Sequence, residues 1–205
     1  PMHHDFTPTV YHRTLGPHDP VLTVQPGDSI ATTTVDARGY DMHRDQVTPR
    51  GNPQTGPFLV EGAEPGDMLV LQIDRVQPNR RYGFCSSAVA AHVLEPDHVV
   101  ERPEAPLAEW DVDIEQGTAT LVGPESKLGT LSIPLDPMLG CFGVAARGGQ
   151  AISTATSAEH GGNMDNKELI AGTTTYFPVW NQGALFSAGD GHGVQGDGEV
   201  CRTAI

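Results

Sequence analysis

Positive charge is what this 205-residue chain has least of: 12 Lys and Arg stand against 26 Asp and Glu, a net charge of −14. A nucleic-acid surface or an anionic membrane is bound through clustered Lys and Arg, so neither is an expected partner. Cysteine is scarce as well. Cys85, Cys141 and Cys201 are widely spaced and form no CxxC pair, which argues against a zinc ribbon or a disulfide framework and suits a reducing compartment. No run of about 18 apolar residues is present, so no membrane-spanning helix is expected. The first residues are polar and no apolar leader follows, so the expected setting is cytoplasmic. A GxSxG nucleophile elbow and a GxxxxGK[ST] phosphate cradle are both missing.

What the chain does have is 24 Gly and 17 Pro, about a fifth of its residues, with few aromatics. That composition favours short strands and many turns over long helices. Strands are expected at Val21–Val24, Ser29–Asp36, Met68–Ile73, Thr118–Val122, Leu128–Ile133 and Thr173–Val179. Residues 42–56 read as loop, residues 85–94 as a short Ala-rich helix, and residues 95–109 as an acidic connector. Pro-Gly-Asp occurs twice, at 26–28 and 65–67. In each, Pro sets φ and Gly takes the left-handed position of a type II turn, so Asp28 and Asp67 belong to turn chemistry. Residues 140–205 hold 13 of the 24 glycines, which suggests an N-terminal β domain at 1–134 and a Gly-rich segment at 135–205. A last strand is expected to start near Glu199 and to be cut off at Ile205, leaving its sheet to be completed by a further piece.

The chemistry concentrates between His160 and Glu199. His160-Gly161-Gly162-Asn163-Met164-Asp165 and Gly189-Asp190-Gly191-His192 through Gly196-Asp197-Gly198-Glu199 combine His and acids with glycines that let backbone approach a ligand closely. Asp190 and His192 are two apart, so on an extended segment they share a face; Asp197 and Glu199 repeat that spacing. Together these side chains suit a divalent metal. His with carboxylates favours zinc or another transition ion, whereas all-oxygen ligation suits calcium or magnesium. Cys141 and Cys201 lie in apolar contexts and read as buried structural thiols.

At these residues the chain resembles the acetamidase/formamidase family. The resemblance is carried by the two Gly-rich motifs, by Tyr176-Phe177-Pro178-Val179 and by Gly183-Ala184-Leu185-Phe186-Ser187. In the first half it is carried by Pro20–Asp28, Val60–Asp67 and Pro137–Val144. Ala145-Ala146 departs from the Ala-Pro that family tends to carry, and its members continue beyond Thr203-Ala204-Ile205. The resemblance implies a mostly-β fold of sandwich-like halves with few short helices. It further implies hydrolysis of short aliphatic amides, dependence on a divalent metal (zinc first), and a homo-oligomer, with a C-terminal fragment of the same precursor as a further candidate partner. On that basis Asp165, His192, Asp36 and His160 are the expected metal ligands. Asp190 and Glu199 compete for the general-base role, and Asn163 is a candidate donor to the substrate amide or its oxyanion. The rival expectation is a non-catalytic, metal-stabilised β-domain that binds a carbohydrate or a protein.

Overall fold

The computed structural model describes residues 1–86, 89, 91–101, 106–200 and 203–205. In chain order its strands begin with β1 (His3–Phe6), β2 (Tyr11–His12), β3 (Thr14–Leu15), β4 (Leu22–Val24) and β5 (Ser29–Thr32). Next come β6 (Gln54–Val60), β7 (Met68–Gln72) and β8 (Tyr82–Ser86), then the short helix α1 (Pro96–Glu101). The second half contributes β9 (Leu107–Asp113), β10 (Thr118–Gly123), β11 (Ser132–Pro134), β12 (Met138–Gly143) and β13 (Ile152–Ser153). It ends with β14 (Ser157–Ala158), β15 (Gly161–Asn163), β16 (Thr174–Pro178) and β17 (Phe186–His192). The fold is mostly β with few short helices, as the Gly- and Pro-rich composition leads one to expect.

The largest sheet has seven strands, in the order β14-β15-β12-β17-β6-β2 with β4 also paired to β6. It draws β2, β4 and β6 from before residue 134 and β12, β14, β15 and β17 from after it. Strand β17 lies in the middle, antiparallel to both β12 and β6. Strand β12 (Met-Leu-Gly-Cys-Phe-Gly) is covered on both faces, which is why it reads as a continuous apolar run rather than an alternating one. Its Gly143 pairs with Gly161, and a Cβ at Gly143 would collide with the His160 carbonyl. Glycine is required there for the two strands to meet.

Two small sheets close over the large one, giving the sandwich its core. Phe58 of β6, Phe142 of β12 and Phe186 of β17 pack with Ile73, Phe177 and Val179 around the β7–β16 pair. Phe142 meets Phe177 edge-on at 5.7 Å between ring centroids, and Phe6 of β1 meets Phe58 in the same way at 5.3 Å. This is the geometry the ring quadrupoles prefer. A second core forms under the four-stranded sheet β11-β10-β9-β8. There Ala108, Trp110 and Val112 alternate along β9 with exposed Glu109 and Asp111, the period-two pattern of a strand with one wet face.

The two Pro-Gly-Asp turns match each other. Gly27 and Gly66 have φ of 90° and 104°, and Asp28 and Asp67 each donate their amide three residues back, to Gln25 and Glu64, at 3.0 Å. Their carboxylates in turn accept the Gln25 and Glu64 amides at 3.1 and 2.9 Å.

Several local expectations need correcting. The strand expected at Ser29–Asp36 ends at Thr32, that expected at Leu128–Ile133 begins only at Ser132, and β6 begins at Gln54, inside the expected loop. Residues 85–86 belong to strand β8 and only Ala91–Val93 form a 3-10 turn; residues 87, 88 and 90 of the expected helix lie outside the described residues. The helix α1 occupies part of what reads as connector, opening on Pro96, whose fixed φ and missing N–H suit a first helical position. Near Glu199 the chain forms a 3-10 turn, Asp197–Glu199, with Gly198 at φ 74°, instead of starting a strand. No helix among the described residues is long and apolar enough to cross a membrane.

Candidate metal centre

The middle of the large sheet delivers the site. Strand β17 carries Asp190 and His192, both buried. Asp165 follows β15, and the amides of Met164 and Asp165 both donate to the Gly140 carbonyl of β12, at 2.9 and 3.0 Å. The 3-10 turn brings in Glu199 from the other side. One ligand atom each from Asp165, Asp190 and His192 lie within 4.8 Å of one another. His192 Nε2 is 3.2 Å from Asp190 Oδ1 and 4.0 Å from Glu199 Oε1. Gly140 forms the floor: a Cβ there would sit 2.8 Å from Asp165 Oδ1 and 3.0 Å from Asp190 Oδ2. All four acidic and imidazole groups line one cleft of about 1690 Å³.

Backbone strain gathers at the same place. Asn52, Asp165, Asp190 and Glu199 have φ of 57°, 43°, 56° and 41°, four of the seven non-glycine residues in the left-handed region among the described residues. Such conformations cost on the order of 1–3 kcal/mol each and persist where the surroundings impose them, often at functional sites.

The electrostatics are those of too much negative charge in too little water. Burial, reinforced by the Asp190 charge, pushes the Asp165 carboxyl up to about 6. Burial and the Asp165 charge push Glu199 up to about 7. Burial alone pulls His192 down, but the hydrogen bond and charge of Asp190, with Glu199 and Asp165, outweigh it and hold the imidazole at about 9. Asp165 Oδ1 is buried and has no hydrogen-bond partner. An unpaired carboxylate oxygen beside two further acids and one imidazole is a donor set that fits a divalent cation. Cys141 is no competitor for it: burial pushes its thiol well up, and Sγ lies 3.6 Å from the Thr154 carbonyl.

Of the residues singled out from sequence, Asp165, Asp190, His192, Glu199 and Asn163 come together. Asp36 and His160 are not part of this group. The Asp36 carboxylate pairs with Arg80 at 2.9 Å and caps its own turn through the amides of Arg38 and Tyr40. His160 is fully buried, and burial pulls its pKa down; its Nε2 faces Gly162, where a Cβ would lie 3.3 Å away. Asp197, despite its spacing to Glu199, points outward to Lys167.

Asn163 lines the cleft and sits inside a network. Its Nδ2 donates to Asp165 Oδ2 at 2.6 Å, and its Oδ1 accepts from Asn52 Nδ2 at 2.8 Å. Asn52 and Gln195 were not legible as site residues. Gln195 Oε1 accepts from His192 Nδ1 at 2.8 Å, while its amide nitrogen donates to the Asp165 carbonyl. That assigns the Nδ1 proton and turns Nε2 toward the carboxylates, the arrangement of an imidazole ligand. Gln195 lies three residues after His192, a signal that sequence offered. Asn52, in a Pro- and Gly-rich loop 138 residues from Asp190, gave none. Gly191–Gly196 has the GxGxxG spacing, but it leaves a strand for a 3-10 turn and so lacks the helix N-terminus a dinucleotide needs.

The acetamidase/formamidase family model matches residues 7–147 and 141–205. An acetamidase of Mycolicibacterium smegmatis is 30% identical over 195 residues, covering 71% of this chain and 48% of that protein. A formamidase of Methylophilus methylotrophus is 26% identical over 92% of this chain and 59% of its own length. Among solved structures, an acetamidase from Yersinia enterocolitica superposes on all of this chain and 64% of its own, with TM-score 0.79 and 29% identity. The chain spans about half the length of the curated relatives it matches. With family matches running through both the N-terminal strands and the Gly-rich segments of the candidate site, the chain belongs to the acetamidase/formamidase family.

Proposed function

We propose that the chain carries the hydrolytic centre for short aliphatic amides such as formamide and acetamide, giving the carboxylic acid and ammonia. The observation that carries this is the convergence of Asp165, Asp190 and His192 within 4.8 Å, with Glu199 beside them. Asp165, Asp190 and His192 would hold a divalent cation, zinc in preference to calcium or magnesium because of the imidazole donor. When bound, the ion would supply Lewis acidity toward the amide carbonyl and lower the pKa of water. Glu199, with its carboxyl raised to about 7, is matched to proton transfer near neutral pH. It accepts a proton from the attacking water as the new C–O bond forms and delivers it to nitrogen as the C–N bond breaks. Asn163 and Gln195 keep Asp165 and His192 in place through both steps. Supporting this assignment of Asp190 to the ion and Glu199 to the proton is the shorter distance of Asp190 to His192.

The same proposal includes a homo-oligomeric, cytoplasmic protein, for which sedimentation and fractionation are the tests. The chemistry is tested by ammonia release from formamide and acetamide, with and without chelator, for this chain, for a form extended to the length of its relatives and for His192→Ala. Turnover that chelator abolishes and zinc restores is expected. The substitution should lower both ion affinity and rate by more than the roughly 10–100-fold that loss of an outer hydrogen-bond partner costs. Ion binding without turnover in either form would favour a non-catalytic metal-stabilised domain.

A further inference from the structure

Asn52 enters the cleft from the turn before β6 and reaches two aspartate-bearing segments at once. Its Nδ2 donates to Asp190 Oδ2 at 3.0 Å and to Asn163 Oδ1 at 2.8 Å. Asn163 passes the interaction on to Asp165 Oδ2 at 2.6 Å. Behind Asn52 stands Gln54, fully buried, whose Nε2 donates to the Asn52 carbonyl at 3.1 Å and to its Oδ1 at 3.3 Å. The three carboxamides therefore point their N–H groups one way, toward the acids. The reverse orientation of Asn52 would set its oxygen against a carboxylate oxygen and a carbonyl oxygen, so the network fixes the assignment.

The consequence lies in which oxygens are used. In both aspartates Oδ2 is engaged by this chain of amides. Asp165 Oδ1 has no partner, and Asp190 Oδ1 faces His192 Nε2 at 3.2 Å. We propose that Asn52 is the positioning residue of the metal centre, which by holding Asp190 directly and Asp165 through Asn163 presents one oxygen of each to a divalent cation. This rests on the cation site of the preceding section and adds a residue to it. The left-handed φ of 57° at Asn52 belongs to the device, since Asn tolerates that conformation better than other side chains able to make these bonds.

The test uses Co²⁺ as the probe, bound to the whole, metal-free chain and followed by calorimetry and by its visible absorption band. Asn52→Gly removes the carboxamide while suiting the backbone. The expected result is a Co²⁺ dissociation constant raised about 10- to 100-fold, the usual effect of losing an outer hydrogen-bond partner, together with an altered absorption band. Asn52→Ala provides the same loss should the glycine variant fail to fold. For contrast, Asn181→Ala removes a carboxamide that bonds only the carbonyls of Ala145 and Ala146, and it should lower Tm without moving Co²⁺ affinity or spectrum. Unchanged affinity and spectrum in Asn52→Gly would overturn the assignment even with amide turnover intact. Weakened Co²⁺ binding in a chain that turns over no amide would sink the amidase proposal and leave Asn52 in its role. Absence of Co²⁺ uptake by the unsubstituted chain would end both.

Discussion

Asp28 closes a Pro-Gly turn and Asp165 follows strand β15 of the same acidic chain, and their surroundings drive them in opposite directions. Asp28 is met by N–H groups: the Met2 amide at 2.6 Å, the His4 ring at 2.8 Å and the Gln25 amide at 3.1 Å. The Met2 bond, then His4 and Gln25, hold its carboxyl down to about 2. Asp165 is buried among acids, and burial with the Asp190 charge raises it to about 6. A turn aspartate is finished by its own backbone. A site aspartate is left with an oxygen that has no partner within the chain.

The strongest way to break this contrast is at the floor of the site. Gly140→Ala places a methyl group against Asp165 Oδ1, Asp190 Oδ2 and His192 Cε1, all at 3.0 Å or closer. It should cost Co²⁺ or Zn²⁺ affinity on the order of 100-fold, at the upper end of outer-shell effects. Gly196→Ala, whose Cβ meets nothing within 4 Å, should leave it unchanged. Equal affinities in calorimetric titrations of the two variants would show that the cluster does not need its glycine floor.

A second test sets the two aspartates against each other across pH, by thermal unfolding of the ion-free protein. The Asp28 carboxyl lies below its ordinary 3.8, so the stability it contributes is present above that value and is lost as pH falls toward about 2. Asp28→Asn should therefore lower Tm near neutral pH and much less near pH 2. The Asp165 carboxyl lies above 3.8. Its contribution is present below that value and declines as pH rises through about 6, because the folded state disfavours the charge. The difference between parent and Asp165→Asn should accordingly move in the variant's favour between those pH values. Difference curves of the same sign for both variants would erase the contrast. The smallest effect is expected at Asp67→Ala, which removes only a turn bond. It should cost about 1 kcal/mol, a Tm drop of about 2–4 °C for a chain of this size, with no change in ion affinity.

How much of this was legible beforehand follows from how local each signal is. The Pro-Gly-Asp turns were readable because their chemistry spans four residues. So was β9's neighbour β10, and so were the Gly-rich segments that carry Asp165, Asp190, His192 and Glu199. Asp190 and His192 do come to share a site, although the left-handed backbone at Asp190 means the simple two-residue spacing is not the whole reason. The rest depended on contacts that composition does not encode. Asp36 has the right chemistry for a ligand, but Arg80, 44 residues away, claims its carboxylate. His160 is drawn into the packing behind β15. Asn52 looked like loop punctuation, and the site groups its carboxamide donates to lie more than 100 residues further on. The helix expected over 85–94 gave way to β8 because Phe84 and Cys85 lie opposite Glu109 and Ala108 of β9, so sheet pairing outweighed local helix propensity.

The central place of β17 has a consequence for how the site trades its contents with solvent. Strand β17 is laddered to β12 as far as His192, but to β6 only as far as Gly189. Moving the stretch that leads into Asp190 and His192 out of register means breaking two ladders at once. The amide protons of Phe186–Gly189 should exchange on the slowest timescale the molecule has, close to that of global unfolding, whereas the Asp197–Glu199 turn should exchange early. Exchange between the site and solvent would then favour the side at Glu199, which a 3-10 turn supplies instead of a sheet.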